Sequence, residues 1–361
     1  MRDSTPAFKG ALVLTGGGTG GHFFPAVALA EGARSRWPDL PITFIGARRG
    51  IEAQQLPEGP WPHLLLEVEG LVGRSPLRAV RSIGKLGRAV AHLRGLWRRE
   101  RPRAVIGTGG YGAAPALVAA WSLGIPYFLH ESNAAPGALV KLLASRARRV
   151  WCGMGAVVPL LSGADCRVVG TPIRAAFLRA FRPVEELVPP FRMLVLGGSG
   201  GARAINEALL ELAPTLLEEH PQWQILHQTG AVEGQRLQER HLHPRHQLIA
   251  FIDRMDEAME SASLVLGRSG ASTCAELKAA GRMAVLVPLP TSANDHQRRN
   301  ALALAAEGRA CVVGQSAELA GQLGAAVRSL LSGASRTALA SAPEANRAVE
   351  LCLDDLGSYL G

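Results

Sequence analysis

Twice along this 361-residue chain an apolar run breaks into a cluster of glycines, as ALVLTGGGTGGH at 11–22 and as MLVLGGSGGA at 193–202. Each reads as a buried strand turning tightly into a helix. Glycine lets backbone N–H groups approach a ligand closely, and a helix N-terminus favours negative charge. Two such loops, each opening one half of the chain, point to two α/β domains and a phosphorylated ligand.

The rhythm around those loops supports this. In the first half Ala11–Leu14, Ile42–Ile45, Ala104–Ile106 and Tyr127–Leu129 read as buried parallel strands. In the second, Met193–Leu196, Gln224–Leu226, Leu248–Phe251, Leu264–Leu266 and Ala284–Val287 do the same. Helical patterns such as Phe24–Arg36 and Ala204–Glu219 lie between them. Strand and helix in alternation imply a doubly wound parallel sheet in each half. A deeper duplication matches VIGTGG at 105–110 with VLGRSG at 265–270. The prolines of FRPVEELVPP at 181–190 suit a linker. We expect a first domain over 1–172 and a second over 173–342, with a terminal helix in 343–361 packing back on the first.

The formal charge is +9, which suits an anionic partner or simply reflects an arginine-rich composition. Aromatic residues make up 5%, too few for a base-stacking nucleic-acid surface, and no nucleic-acid partner is expected. Five scattered cysteines form no CxxC pair, which argues against a zinc site and for a reducing compartment. No secretory leader and no apolar run of membrane-spanning length is read, so the expectation is a soluble or peripheral cytoplasmic protein.

Gly16–Gly21 formally fits the dinucleotide fingerprint. That fingerprint expects an acid at the end of the second strand, where Arg48 and Arg49 stand, so an NADP phosphate stays open as an alternative. Thr19 and His22 at the helix start have no use in a dehydrogenase. The helix dipole keeps His22 neutral, able to act as a base or to cap the loop. His130-Glu131-Ser132-Asn133 follows a strand at a carboxyl-end crevice. Glu131 there serves as a base, holds hydroxyls, or joins Asn133 in capping the next helix. In 267–276 a small-residue loop opens a helix whose first amides, Ala271–Ala275, can neutralise a diphosphate without metal. Glu276 lies one turn in, placed for ribose hydroxyls or for dipole compensation. Gln297 offers the paired donor and acceptor that sugars need. No D-x-D pair follows a strand, so no metal is expected. Pro76–Arg99 is basic, with apolar residues at helical spacing; it is either a solvated helix on its sheet or a face for an anionic membrane.

GGTGGHFFPAVALA, GTGGYGAAPALVAAWSLGIP, HESNAAPG, VVGTPIR, VLGGSGGARAIN, FIDRM and GRSGASTCAELKAAG, in this order, resemble the MurG family of undecaprenyldiphospho-muramoylpentapeptide N-acetylglucosaminyltransferases. The resemblance implies an α/β GT-B fold, two doubly wound Rossmann-like domains facing each other across a cleft. It implies transfer of GlcNAc from UDP-GlcNAc to the C4 hydroxyl of MurNAc in lipid I, giving lipid II with inversion and without a cofactor. On the first domain it assigns donor-site contacts to Thr19, Gly20, Gly21 and Asn133, although the first loop itself is read as facing the acceptor. It places His22 nearest the chemistry, as base or as positioner of the donor, and Glu131, from its place after the strand, is the second catalytic candidate. Arg174 and Ser199 would contact the nucleotide and its phosphates, and Ile252 would offer its backbone to uracil. Ala271, Ser272, Thr273, Cys274 and Ala275 would cradle the diphosphate, Glu276 the ribose, and Gln297 the sugar hydroxyls. It further implies peripheral docking on the cytoplasmic face of the membrane through Pro76–Arg99. Ser132 and Gly200 stand where the family often has Gln, and Thr171 where Asn is common. The rivals are another lipid acceptor, such as diacylglycerol, or a UDP-GlcNAc epimerase.

Overall fold

The computed structural model describes residues 6–70, 76–179, 182–183, 186–198, 201–237, 243–292, 295–331 and 346–360. The chain divides into two compact units, Met1–Ala175 with Asn346–Gly361, and Ala176–Ala345. The proline-rich stretch 181–190 falls inside the second unit.

The first unit starts with β1 (Leu12–Thr15), all four residues buried, and α1 (Gly20–Arg36). β2 (Ile42–Ala47), α2 (Ile51–Glu58), β3 (His63–Leu66) and α3 (Pro76–Arg99) follow. β4 (Ala104–Gly107), α4 (Ala114–Ser122), β5 (Tyr127–Glu131), α5 (Ala138–Leu143), β6 (Arg149–Cys152) and β7 (Cys166–Val168) complete it. Seven parallel strands form one sheet in the order β3-β2-β1-β4-β5-β6-β7. The order reverses between β1 and β4, which pair from Leu12 with Ala104 to Thr15 with Gly107. Strands covered on both faces need apolar side chains throughout, and Val13, Val105, Leu129 and Val150 supply them in one core.

The second unit repeats the plan. β8 (Phe191–Leu196), α6 (Arg203–Glu219), β9 (Trp223–Gln228), α7 (Ala231–Leu237), β10 (His246–Ile249) and α8 (Met255–Glu260) form its first half. β11 (Leu264–Gly267), α9 (Ala271–Ala280), β12 (Ala284–Leu286), α10 (His296–Ala306), β13 (Ala310–Val312) and α11 (Leu319–Leu331) form its second. The sheet order β10-β9-β8-β11-β12-β13 reverses between β8 and β11.

Four differences from the sequence expectation are instructive. α1 begins at Gly20 rather than Phe24, because Thr19 is extended (φ −137°, ψ 160°) and serves as the N-cap, so Gly20, Gly21 and His22 form the first turn. β10 sits two residues earlier than Leu248–Phe251. β3, β6, β7 and β13 went unread, being short and charged or edge-like. α3 is one 24-residue helix whose Leu93 and Trp97 point into the core, Trp97 edge-on to Phe8 at 6.1 Å. Among the described residues no helix is long and apolar enough to cross a membrane.

α12 (Ala348–Leu360) joins the first unit. Val349 and Leu353 crowd Gly32 of α1 so closely that a Cβ there would lie 2.4 Å from Val349 Cγ1. Asp355, one-tenth exposed, accepts hydrogen bonds from Arg149, Arg167 and the Trp151 indole. Asp355→Ala strands three donors at once. Since both arginines are about a third exposed, we expect a loss of about 2 kcal/mol in chemical denaturation of the full chain; an unchanged midpoint would contradict this anchoring.

Candidate active site

In the first unit the loops after β1 and β4 interlock at the reversal point, where open α/β sheets hold ligands. The backbones meet with no room for side chains. A Cβ on Gly16 would lie 1.9 Å from Thr108 Oγ1, and one on Gly110 (φ +78°) 1.9 Å from the Gly17 carbonyl. The Thr108 hydroxyl donates to the His22 carbonyl at 2.6 Å. The half-buried His22 ring lies over Gly109, where a Cβ would come within 2.7 Å of Cδ2 and 3.1 Å of Nε2. Its Nδ1 is 3.1 Å from Thr19 Oγ1. The structure thus brings Thr19, Gly20, Gly21 and His22 together at the start of α1.

An acid does follow β2, and sequence reasoning passed over it. Glu52, in the first turn of α2 and fully buried, accepts the Gly18 amide at 2.8 and 3.0 Å and the Ala47 amide at 3.1 Å. Turned into the glycine loop, it is not presented to a ribose, which weakens the dinucleotide alternative. The legible signal was an acid at a helix start directly after the Arg48-Arg49-Gly50 turn.

Glu131 ends β5 at 4% exposure. Oε1 accepts the Asn133 backbone and side-chain amides, both at 3.0 Å, and Oε2 accepts Gly137 N at 2.8 Å. A carboxylate committed in this way anchors the loop and the start of α5, and it orients Asn133; the geometry favours the capping alternative over the base. His130 donates through Nε2 to the Gly170 carbonyl at 2.9 Å, and burial holds it neutral with a pKa of about 4. Arg174 lies with its guanidinium carbon 4.5 Å from the Phe24 ring centroid, on the first unit.

In the second unit the loop between β11 and α9 is equally tight: a Cβ on Gly267 would lie 2.6 Å from the Leu196 carbonyl. Gly270 is the N-cap of α9 (φ −64°, ψ 149°). The amides of Ala271, Ser272 and Thr273 precede the helical ladder. Cys274 does not, since its amide donates to the Gly270 carbonyl at 2.9 Å. Cys274 and Ala275 therefore lie inside the helix, and burial pushes the Cys274 thiol up to about 12, leaving it inert. Glu276 follows at 7% exposure. Gln297 opens α10, with Oε1 accepting Leu289 N at 3.0 Å and its carbonyl accepting the Ser269 hydroxyl at 2.8 Å. Asn300, unread in the sequence, donates to the Ser269 carbonyl at 3.0 Å and so ties the α9 loop to α10. Ile252 is buried. Ser199 and Gly200 lie outside the described residues.

The glycosyltransferase family 28 N-terminal domain profile matches residues 12–152 and its C-terminal counterpart residues 192–352. A UDP-N-acetylglucosamine--N-acetylmuramyl-(pentapeptide) pyrophosphoryl-undecaprenol N-acetylglucosamine transferase of Syntrophotalea carbinolica is 42% identical over 307 residues, 84% of this chain and 85% of that protein. A transferase of the same name from Synechococcus elongatus is 40% identical over 311 residues, 84% and 83% of the two chains. The crystal structure of Acinetobacter baumannii MurG superposes with a TM-score of 0.71 at 28% identity, covering 97% of this chain and 99% of that one. This chain belongs to the MurG family. Its two Rossmann-like domains are those of the GT-B glycosyltransferases.

This MurG-family fold also carries a polar chain behind its second glycine loop. Asn206 of α6 accepts from His227 Nε2 at 3.0 Å, and His227 Nδ1 lies 3.2 Å from His246 Nε2. The Asn206 amide donates to the Thr229 carbonyl at 3.1 Å, the same carbonyl that leaves no room for a Cβ on Gly201. Burial lowers His227 to about 3 and His246 to about 4 from an ordinary 6.5. Each is neutral in the fold, so acid favours the unfolded chain. Their contribution to stability is complete above pH 6.5 and is lost as the pH falls through that value toward about 4 for His246 and about 3 for His227. We expect the melting temperature to drop by about 5 °C or more across that window; a flat profile by calorimetry would refute the neutral, buried histidines.

Proposed function

We infer that this chain is a hexosyltransferase moving GlcNAc from UDP-GlcNAc to the muramyl sugar of an undecaprenyl-diphosphate-linked MurNAc-pentapeptide, the step that makes lipid II. The observation carrying this is the near full-length match, at about 42% identity, to transferases of that name.

Within that activity we assign the nucleotide sugar to the second unit. The amides opening α9 face the diphosphate, Glu276 takes the ribose hydroxyls and Gln297 the sugar hydroxyls. We assign the acceptor to the first unit, along Thr19, Gly20 and Gly21, with Asn133 held toward it by Glu131. His22 Nδ1 lies 3.1 Å from Thr19 Oγ1, and we assign it the tautomer in which Nδ1–H donates to that hydroxyl and Nε2 is the base. His22 then takes the proton of the C4 hydroxyl as that oxygen bonds to the anomeric carbon and the bond to UDP breaks, inverting the centre. The leaving diphosphate gains from the positive end of α9, and the oxocarbenium-like sugar needs no covalent intermediate. Helix amides in place of a cation make the reaction metal-independent.

Docking on an anionic membrane falls to the start of α3. Val80 and Ile83 are 66% and 57% exposed beside the exposed Arg81 and Arg88. Leu93 and Trp97, expected on that face, are committed to the core. This supports peripheral docking, and we assign it to the cytoplasmic face because the nucleotide-sugar donor is used there.

Radiolabelled UDP-GlcNAc and a lipid I analogue should give labelled lipid in the presence of EDTA. No product would overturn the function, and inhibition by EDTA the metal-free step. His22→Ala should lower kcat by about 10²–10⁴-fold, whereas Glu276→Ala should mainly raise the donor KM; purely KM effects in both would make His22 a binder. Val80→Asp with Ile83→Asp should abolish sedimentation with anionic vesicles while sparing turnover of a water-soluble acceptor; vesicle binding equal to wild type would remove α3 from the membrane.

A further inference from the structure

One buried carboxylate of the first unit has no part in the transfer just described. Glu52 is fully buried, and among the described residues its hydrogen-bond partners are the Gly18 and Ala47 amides. Glycines from four segments close around it. A Cβ on Gly17 would lie 2.2 Å from Oε1, on Gly46 2.7 Å from Cγ, on Gly50 2.7 Å from Oε2 and on Gly112 2.9 Å from Oε1. Isolated buried charge is costly, and here it is met by backbone amides and by the N-terminus of α2. The Tyr111 ring closes the other side of the loop, where a Cβ on Gly18 would come within 2.5 Å of Cε1, and its hydroxyl donates to the Arg49 carbonyl at 2.7 Å.

We propose that Glu52 is a positioning residue for glycosyl transfer: an internal anion that fills the nest of the first glycine loop and thereby sets Thr19 and His22. A glycine loop with its amides turned inward is a place for phosphate. Here the Gly18 amide is taken by the Glu52 carboxylate and the Gly17 amide by the Gly109 carbonyl at 3.4 Å, so a second anion finds no donor there and meets like charge. The acceptor diphosphate is thus directed to the next amides along the chain, at the start of α1. The same bond fixes Gly18 at φ +89°, one residue before the extended Thr19 whose hydroxyl meets His22 Nδ1. Glu52 never touches substrate; it acts through Gly18 and Thr19. The proposal rests on the acceptor-side reading of Thr19–His22.

The test compares Glu52→Gln, Glu52→Asp, Gly17→Ala and His22→Ala in the full chain. Calorimetry measures UDP affinity, and transfer to a lipid I analogue gives kcat and acceptor KM. The amide of Glu52→Gln cannot accept on both atoms. We expect kcat to fall about 10²-fold with a raised acceptor KM, and UDP affinity to stay within about twofold, since the nucleotide lies on the other unit. Glu52→Asp, still an anion, should recover part of the loss. Wild-type kinetics in Glu52→Gln with His22→Ala impaired would overturn the proposal and leave the acceptor-side reading intact. Unimpaired His22→Ala would overturn that reading itself. A parallel loss of UDP affinity would make Glu52 merely structural and also overturn the proposal. Should Glu52→Gln not fold, Gly17→Ala decides, for it keeps the carboxylate's charge while its Cβ, 2.2 Å from Oε1, forces carboxylate and loop apart; unchanged kcat there would count against us.

Discussion

In each sheet the two central strands lie side by side in parallel, yet the chain leaves them toward opposite edges. β1 runs on to β2 and β3, while its neighbour β4 leads to β5, β6 and β7. The following loops are therefore drawn apart by their helices and pressed together at their roots. That pressure explains the glycines. Gly16 against Thr108, Gly110 against Gly17, and Gly267 against Leu196 are contacts in which any side chain would occupy another atom's place. The site is built of backbone because two backbones must share that space.

A loop of glycines has little stiffness of its own, so each unit adds buried polar groups to hold its loops. The two units choose differently. The first uses carboxylates: Glu52 under the β1 loop and Glu131 under the β5 loop, each accepting loop amides. The second uses neutral chains, Asn206–His227–His246 behind α6 and Asn300–Ser269–Gln297 between α9 and α10. The choice has electrostatic consequences. Fixed anions beside the first loop discourage charge build-up there, whereas the braces behind the start of α9 carry no charge.

The paired fold was legible because parallel strands buried on both faces must be apolar along their length and their glycine loops cannot be anything else. The same logic placed His22 at a helix start and Glu276 one turn into α9, where they stand, while Gln297, expected in a loop, lies in the first turn of α10. What escaped notice has a common physical character. β7, with residues CRV half-exposed at a sheet edge, lacks the apolar run that marks an interior strand. Leu93 and Trp97 share helical spacing with Val80 and Ile83, and periodicity alone does not say which residues the sheet will cover. Glu52 is legible as an acid at a helix start but not as the partner of the glycine loop, because a carboxylate bonded to backbone amides leaves no pattern in side-chain identity; its partners are residues by position, not by type. Cys274 and Ala275 were read as cradle amides since a helix start is visible in sequence, while the residue at which its ladder closes is not.

These braces also bear on why two copies of one plan divide a single reaction. Departure of a diphosphate leaves negative charge that must be met at once, and preorganised amides in a dry setting meet it without reorganisation. An acceptor hydroxyl needs instead a neutral base held in one tautomer, and the ring of His22, packed on Gly109 and bonded through Nδ1 to Thr19, suits that demand. A buried carboxylate near the first loop is compatible with the second task and would oppose the first. On the proposed division of donor and acceptor, the loop holding Glu52 is the one that can give up an amide to its own chain, and the helix start at Ala271 is the one that cannot.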